Sequence, residues 1–270
     1  MPEGDTIWRV AAALRARILG AMVERSSHTG LEGRRIEAID AIGKHLVIRF
    51  EGGWAVRTHL GMQGSWWVFR PGERWKKPAW QARLVLETRD WVAVCFLAPT
   101  VEVTRRPQDS LRELGPDLLA PDTDLAAVVG RARSAGASTP LGELLLDQRV
   151  AAGIGNVYRC ETLWAKRRSP WQPAGELDDA QLRDLYAYAA EALRLNLGGG
   201  GFGRRFPDHA SAAVHGRGGR PCPRCGTPIE VRRQGSLARY TYFCPSCQPD
   251  PPDPTPKSRF HVKPGLCEPP

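Results

Sequence analysis

The spacing of apolar side chains changes character three times along the 270 residues. Ile7, Val10, Ala11, Leu14 and Ile18 recur at the three-and-four spacing of one helix face, with Asp5 or Thr6 as cap and Gly20 just beyond. Residues 5–19 are therefore expected to form an amphipathic helix that fixes Pro2 and Glu3 at its entrance. From about residue 34 to 105 the period shortens to that of strands, over 35–42, 44–50, 54–59, 65–69, 82–88, 91–97 and 101–104. Turn-forming stretches at Glu51-Gly52-Gly53, Arg70-Pro71-Gly72 and Arg89-Asp90 separate several of them. Short antiparallel strands at this spacing predict a β-sandwich. After Leu114-Gly115-Pro116-Asp117 the period is helical again. Asp122 or Thr123 is expected to cap a helix reaching about residue 133, Thr139-Pro140 to start another through about 146, and Asn156 to open a third toward 164. A last helix over 177–197 would bury Leu182, Leu185, Tyr186, Ala189 and Leu193. Residues 198–201 read as a glycine linker, 215–248 as a cysteine-rich module, and 249–270 as a tail too rich in proline to pack.

Composition narrows the class. A formal charge of +9 with pI about 9.5, carried mostly by arginine, suits a polyanionic partner. Nine tryptophans exceed ordinary usage, so some are available to stack on bases while most serve the core. No apolar run reaches the ~18–20 residues of a membrane span, and the first residues lack the basic-then-apolar layout of a signal peptide, so a cytoplasmic protein is expected. Seven cysteines without an export signal argue against a disulfide framework and for metal.

Cys222-x-x-Cys225 and Cys244-x-x-Cys247 stand 18 residues apart, the spacing at which four thiolates close tetrahedrally on one structural Zn²⁺ with two knuckles flanking a hairpin. Arg217, Arg220, Arg224, Arg232, Arg233 and Arg239 surround them against a single Glu230, and Arg239 precedes Tyr240-Thr241-Tyr242-Phe243 as the natural reader of a ligand. Cys95, Cys160 and Cys267 read as core or tail residues. The stretch Gln148-Arg149-Val150-Ala151-Ala152-Gly153-Ile154-Gly155-Asn156 fits two readings equally: a phosphate site at a helix N-terminus, or a plain helix corner capped by Asn156. Arg149 and Glu161 nearby are either functional or solvated charges. Lys44, in Gly43-Lys44-His45 opening a strand, reads alone as surface decoration, and Met62, in His59-Leu60-Gly61-Met62, as either a loop aimed at a ligand or a hairpin turn.

The N-terminus carries candidate chemistry of another kind. Removal of Met1 would leave Pro2 with a secondary amine, and an α-amino group titrates at about 7.7–8.0, low enough to be partly unprotonated at neutral pH. Its attack on a sugar C1′ gives an iminium, a strong electron sink, with Glu3 beside it as an acid. By itself the tripeptide reads as an ordinary start.

Taken in order, Pro2-Glu3, Gly43-Lys44-His45, Leu60-Gly61-Met62, Gly153-Ile154-Gly155-Asn156 and the four-cysteine hairpin span nearly the whole chain. The sequence resembles the formamidopyrimidine-DNA glycosylase and endonuclease VIII family, its opening Pro-Glu-Gly-Asp-Thr being more like the endonuclease VIII branch. The resemblance implies an α+β chain: an N-terminal β-sandwich with flanking helices (1–115), a helical helix-two-turn-helix domain (116–204), a four-cysteine zinc-finger β-hairpin (205–248) and the proline-rich tail. It implies a base-excision-repair DNA glycosylase and abasic-site lyase, favouring oxidised pyrimidines. That enzyme would act as a monomer on double-stranded DNA with damaged bases or abasic sites, near the nucleoid. Pro2 and Glu3 would then be nucleophile and acid, Lys44, Asn156 and Arg239 would grip phosphates, and Met62 would wedge into the base stack. The Asp-Pro-Arg-Arg-Phe-Gly stretch of the glycosylase branch is absent, 97–106 reading Leu-Ala-Pro-Thr-Val-Glu-Val-Thr-Arg-Arg, so Arg105 or Arg106 is the candidate replacement. The competing expectations are a catalytically silent zinc-finger protein that binds damaged or kinked DNA, and a zinc-ribbon protein-interaction module.

Overall fold

The computed structural model describes residues 2–198 and 203–250, so the expected tail, Cys267 and most of the glycine linker lie outside the described residues. The chain divides into two compact units at Glu113/Leu114.

In the first unit, helix α1 (Gly4–Ile18) buries Ile7, Ala11, Leu14 and Ile18 on the predicted face. Its N-cap is Glu3, not Asp5 or Thr6: the Glu3 carbonyl accepts from the N–H groups of Thr6 (2.9 Å) and Ile7 (3.1 Å), and Asp5 sits inside the first turn, where its charge favours the helix N-terminus. Eight strands follow: β1 (Arg25–Ser26), β2 (Ile36–Ile42), β3 (His45–Phe50), β4 (Trp54–His59), β5 (Ser65–Phe69), β6 (Ala82–Glu87), β7 (Val92–Phe96) and β8 (Thr100–Thr104). They form two four-stranded antiparallel sheets, in the orders β1-β6-β7-β5 and β2-β3-β4-β8. One core fills the space between them: Ile39, Leu46, Ile48 and Val56 from one sheet meet Trp66, Leu84, Leu86 and Cys95 from the other, with α1 adding Ile7 to Ile18. The unpredicted β1 is only two residues long, too short for a period to register.

The second unit holds α2 (Leu125–Ser134), α3 (Leu141–Leu144), α4 (Asn156–Ala165) and α5 (Asp179–Arg194), then the hairpin β9 (Glu230–Gln234) and β10 (Arg239–Phe243). Two predicted caps move. Asp124, rather than Asp122 or Thr123, caps α2 by accepting from the Ala126 and Ala127 N–H groups, and Asp178 with Gln181 forms a reciprocal capping box that starts α5 two residues later than expected. All five residues expected on the inner face of α5 are buried. α4 is buried all round from Asn156 to Trp164, which identifies it as the central rod of this unit rather than a surface helix. Cys95 and Cys160 are both core residues, with burial alone pushing the Cys95 thiol up to about 12. No helix among the described residues is long and apolar enough to cross a membrane.

Candidate active site and zinc centre

In the first unit, local geometry gathers the candidates at two places. Pro2 is half-buried at the entrance to α1, and the Glu3 side chain beside it is fully buried without capping the helix. Lys44 stands at a tip. Ile42 pairs with His45, so Gly43-Lys44 is a two-residue hairpin loop, and Gly43 at φ +56 supplies the left-handed residue that such a loop requires. Lys44 therefore precedes β3 instead of opening it.

His45 pairs with His59 across β3 and β4, their rings 5.0 Å apart. Because His59 leads directly into Leu60-Gly61-Met62, Lys44 and Met62 share one end of this sheet. Met62 is 54% exposed at the crest of its loop. The loop closes on itself through Gly64 N–H to Leu60 C=O (2.8 Å), and Gly61, at φ +58, has no room for a side chain: a Cβ there would lie 2.8 Å from the Pro99 ring.

Behind this end sits a group of charges that sequence reasoning missed. Arg57, ion-paired to Glu102 (2.7 Å), donates from Nη1 to His45 Nδ1 (3.0 Å). Since guanidinium can only donate, the His45 proton resides on Nε2. Burial first, then the neighbouring His59, Arg57 and Lys44, lower the His45 pKa to about 4. The unfolded chain takes up this proton near pH 6.5 and the folded one only near 4, so folding loses stability as pH falls through that window. The melting temperature of wild type is expected to fall more steeply between pH 7 and 4.5 than that of His45→Gln. Parallel curves from calorimetry at stepped pH would refute this.

Arg105 and Arg106 are not beside Met62. Thr100 of β8 pairs with His59 and Thr104 with Ala55, so the two arginines follow β8 at its opposite end, with the Arg105 guanidinium over the Trp54 ring (4.9 Å). The candidate replacement for the missing stretch is thereby displaced by the length of a strand.

In the second unit Asn156 is the first residue of α4, with Gly155 as N-cap and no side chain capping that end. The Asn156 amide, only 5% exposed, is committed inward: Nδ2 donates to Tyr240 C=O (2.9 Å), and Oδ1 accepts from Arg159 Nη2 (2.5 Å). Arg159 is fully buried and donates further to the Tyr240 C=O (3.1 Å), Thr241 Oγ1 (2.8 Å), Gln234 Oε1 (3.4 Å) and Gly142 C=O (3.5 Å). One arginine thus ties α3, α4 and the β9–β10 hairpin together, and it places Arg239, the first residue of β10, beside the start of α4. The available signal was the spacing: residues three apart on a helix share a face.

Glu161 is likewise structural and not a solvated charge. Fully buried, its carboxylate accepts from the consecutive N–H groups of Ala213 (2.8 Å), Val214 (3.1 Å) and His215 (2.8 Å). Arg149 remains exposed and pairs with Asp147 (2.7 Å), holding that carboxyl below its usual range. The basic surround of the hairpin is also partly occupied. Arg232 pairs with Glu230 and Asp250, Arg224 donates to Trp164 C=O and stacks 4.0 Å over its ring, and Arg217 donates to Pro221 C=O.

The Sγ atoms of Cys222, Cys225, Cys244 and Cys247 all lie within 4.8 Å of one another, three pairs at 3.4, 3.5 and 3.9 Å. Zn–S bonds of ~2.3 Å arranged tetrahedrally require S···S edges of about 3.8 Å, so the four residues fit one zinc ion in a closed, structural site. Trp164 Nε1 donates to Cys222 Sγ (3.3 Å), and Gln248 bridges the Cys244 N–H to Arg168 C=O, anchoring the centre to α4 and the segment after it.

A β-sandwich with its N-terminus leading straight into a packed helix, a helical second unit and a closed four-thiolate hairpin define a class of α+β zinc-finger proteins, and comparison makes the class specific. Residues 1–100 match the formamidopyrimidine-DNA glycosylase N-terminal domain, 114–207 the H2TH domain of that glycosylase, and 219–249 the zinc finger found in FPG and IleRS. A probable endonuclease 8 2 of Streptomyces coelicolor is 41% identical over 98% of this chain and 99% of its own length. A DNA-(apurinic or apyrimidinic site) lyase Nei2 of Mycolicibacterium smegmatis is 38% identical over 92% of this chain and 99% of its own. The crystal structure of MutM (Fpg) from Thermus thermophilus superposes with a TM-score of 0.75 at 32% identity, covering 93% of this chain and all of that one. The chain belongs to the formamidopyrimidine-DNA glycosylase and endonuclease VIII family.

Proposed function

We propose that this protein is a base-excision-repair DNA glycosylase and abasic-site lyase, acting as a monomer on damaged duplex DNA in the cytoplasm, with oxidised pyrimidines as its favoured lesions. The observation that carries the reading is the Pro2-Glu3 pair held at the entrance of α1, in a chain whose relatives at 41% and 38% identity bear the names endonuclease and abasic-site lyase.

In this reading the Pro2 nitrogen, freed by loss of Met1, attacks C1′ of the lesion nucleotide. The bond to the damaged base breaks, the base leaves with a proton, and Glu3 delivers a proton to the ring oxygen as the sugar opens. The resulting iminium draws electrons from C2′: loss of the C2′ proton expels the 3′ phosphate, and a second elimination expels the 5′ phosphate. No metal enters these steps; zinc serves the hairpin. Lys44 holds a phosphate from the tip of its loop, Arg239 another from the start of β10, and Arg149 lends positive charge. The phosphate at the α4 corner is received by the helix N-terminus, which Asn156 fixes in place by its bond to Tyr240. Met62 enters the stack where the nucleotide has left it.

Borohydride added to the wild-type protein and abasic-site duplex is expected to leave a covalent protein–DNA adduct. Its absence, with DNA binding retained, would establish the catalytically silent alternative.

A further inference from the structure

What shares an end of the sandwich with Met62, where Arg105 and Arg106 do not, is aromatic. Ser65 of β5 and Ala82 of β6 both pair with Phe96 of β7, from opposite sides. The end of the sandwich where β5 begins is therefore also where β6 begins and β7 finishes. The Met62 loop enters that end through Gly64, and the 3₁₀ turn Ala79–Gln81 enters it ahead of β6. Direct contacts join the two. The Leu97 N–H donates to Gln81 C=O (2.9 Å), and two residues on, the Pro99 ring fills the space over Gly61; Lys77 Nζ donates to Ser65 Oγ (3.0 Å). Met62 and Trp80 thus occupy one rim.

The other tryptophans of this region have partners. Trp66 faces the core, 8% exposed, with Nε1 on Thr58 Oγ1. Trp67 and Trp75 pack on the outer face of the sheet against Phe69 and Phe96. Trp80, five residues after Trp75, is 77% exposed. The backbone that carries it is held: Pro78 fixes the entry, Gln81 N–H returns to Pro78 C=O (3.0 Å), and Gln81 C=O is taken by the Leu97 N–H (2.9 Å). Residues 74–83 add Arg74, Lys76, Lys77 and Arg83 and no acid. An exposed indole on a held turn among cations is the pairing that binds an unstacked base of a polyanion, the ring taking the base face and the cations the backbone.

We propose that Trp80 is a second base-contacting residue, stacking on a nucleobase of the damaged duplex beside the step that Met62 opens. The inference rests on the glycosylase and lyase reading and adds to it the side chain that takes the place of the absent Arg-Phe-containing stretch.

The test compares Trp80→Ala and Trp80→Phe with wild type on two duplexes of one sequence, undamaged or carrying a tetrahydrofuran abasic analogue, with 2-aminopurine next to that site. Stacking on one base corresponds to roughly 5–150-fold in affinity. Trp80→Ala is expected to weaken binding to the tetrahydrofuran duplex within that range, to leave the undamaged duplex within about twofold, and to leave the bound 2-aminopurine brighter than wild type does, because stacking on the indole quenches it; Trp80→Phe stays close to wild type in both. Affinity and 2-aminopurine fluorescence both unchanged from wild type, or equal losses of affinity on both duplexes, would overturn the proposal. Because Trp80 packs little of its surface, an unchanged melting temperature is expected, and a lowered one shared by Trp80→Phe would assign it to folding instead. Wild type that gives a borohydride adduct while Trp80→Ala behaves identically sinks this inference alone. Wild type that gives no adduct and shows no preference for the tetrahydrofuran duplex sinks the lyase reading, and this inference with it.

Discussion

Pro2→Gly is expected to slow borohydride trapping on abasic-site DNA by on the order of 10²-fold, well short of the ~10⁶-fold that outright loss of a covalent nucleophile costs, while affinity for the same duplex stays within a few-fold. Glycine keeps an N-terminal amine, so the contrast isolates what proline adds. A primary amine forms an imine that must be protonated before it withdraws electrons, whereas the secondary amine yields an iminium that carries its charge at any pH. Glycine also loses the pyrrolidine ring that fixes rotation about the N–Cα bond and with it the direction of the nitrogen lone pair. A chain bearing one extra residue before Pro2 has an amide there, without a lone pair to donate, and is expected to bind and never to trap. Glu3→Gln should retain trapping on a pre-formed abasic site better than it retains base removal, with a loss of about 10²–10⁴-fold in the latter, the usual share of a positioned acid. Trapping at the wild-type rate by the chain with one extra residue before Pro2 would place the nucleophile elsewhere, on Lys44 first of all.

Sandwich, helical unit and zinc hairpin were legible because each rests on a local rule: alternation in Leu46, Ile48 and Phe50 and in Leu84 and Leu86, three-and-four spacing in α1 and α5, and paired Cys-x-x-Cys spacing. What stayed hidden was decided by partners distant in sequence. The burial of Glu161 depends on backbone N–H groups more than fifty residues later, at 213–215. The inward commitment of Asn156 depends on Tyr240, and a polar residue at a helix start reads identically whether its amide faces solvent or a strand. The displacement of Arg105 and Arg106 follows from register: only the pairing of Thr100 with His59 shows which end of β8 lies near Met62. Trp80 was passed over for a related reason, since one tryptophan among nine carries no mark of exposure until Trp75 is seen to take the outer face of the sheet.

Cys244→Ser, or chelation of zinc, is expected to reduce affinity for abasic-site DNA by at least about 10²-fold while the sandwich unit melts where it did before. A structural zinc contributes an apparent ~10–16 kcal/mol, comparable to or larger than the whole stability of an ordinary domain at ~5–15 kcal/mol, so its loss unfolds the hairpin rather than loosening it. The consequence reaches beyond the finger because of Arg159. Once β9 and β10 separate, this fully buried cation loses Gln234 Oε1, Thr241 Oγ1 and the Tyr240 carbonyl at one stroke, keeping Asn156 Oδ1 and the Gly142 carbonyl. A buried guanidinium short of acceptors is strongly unfavourable, and the start of α4 must open to water to solvate it. Zinc therefore holds the α4 corner as well as Arg239. Amide hydrogen exchange distinguishes the two reaches: on zinc removal, protection should fall at residues 156–160 as well as through 230–243, and stay unchanged in β2 to β8. Protection lost from the hairpin alone, with α4 as slow to exchange as before, would show that Arg159 does not transmit the loss.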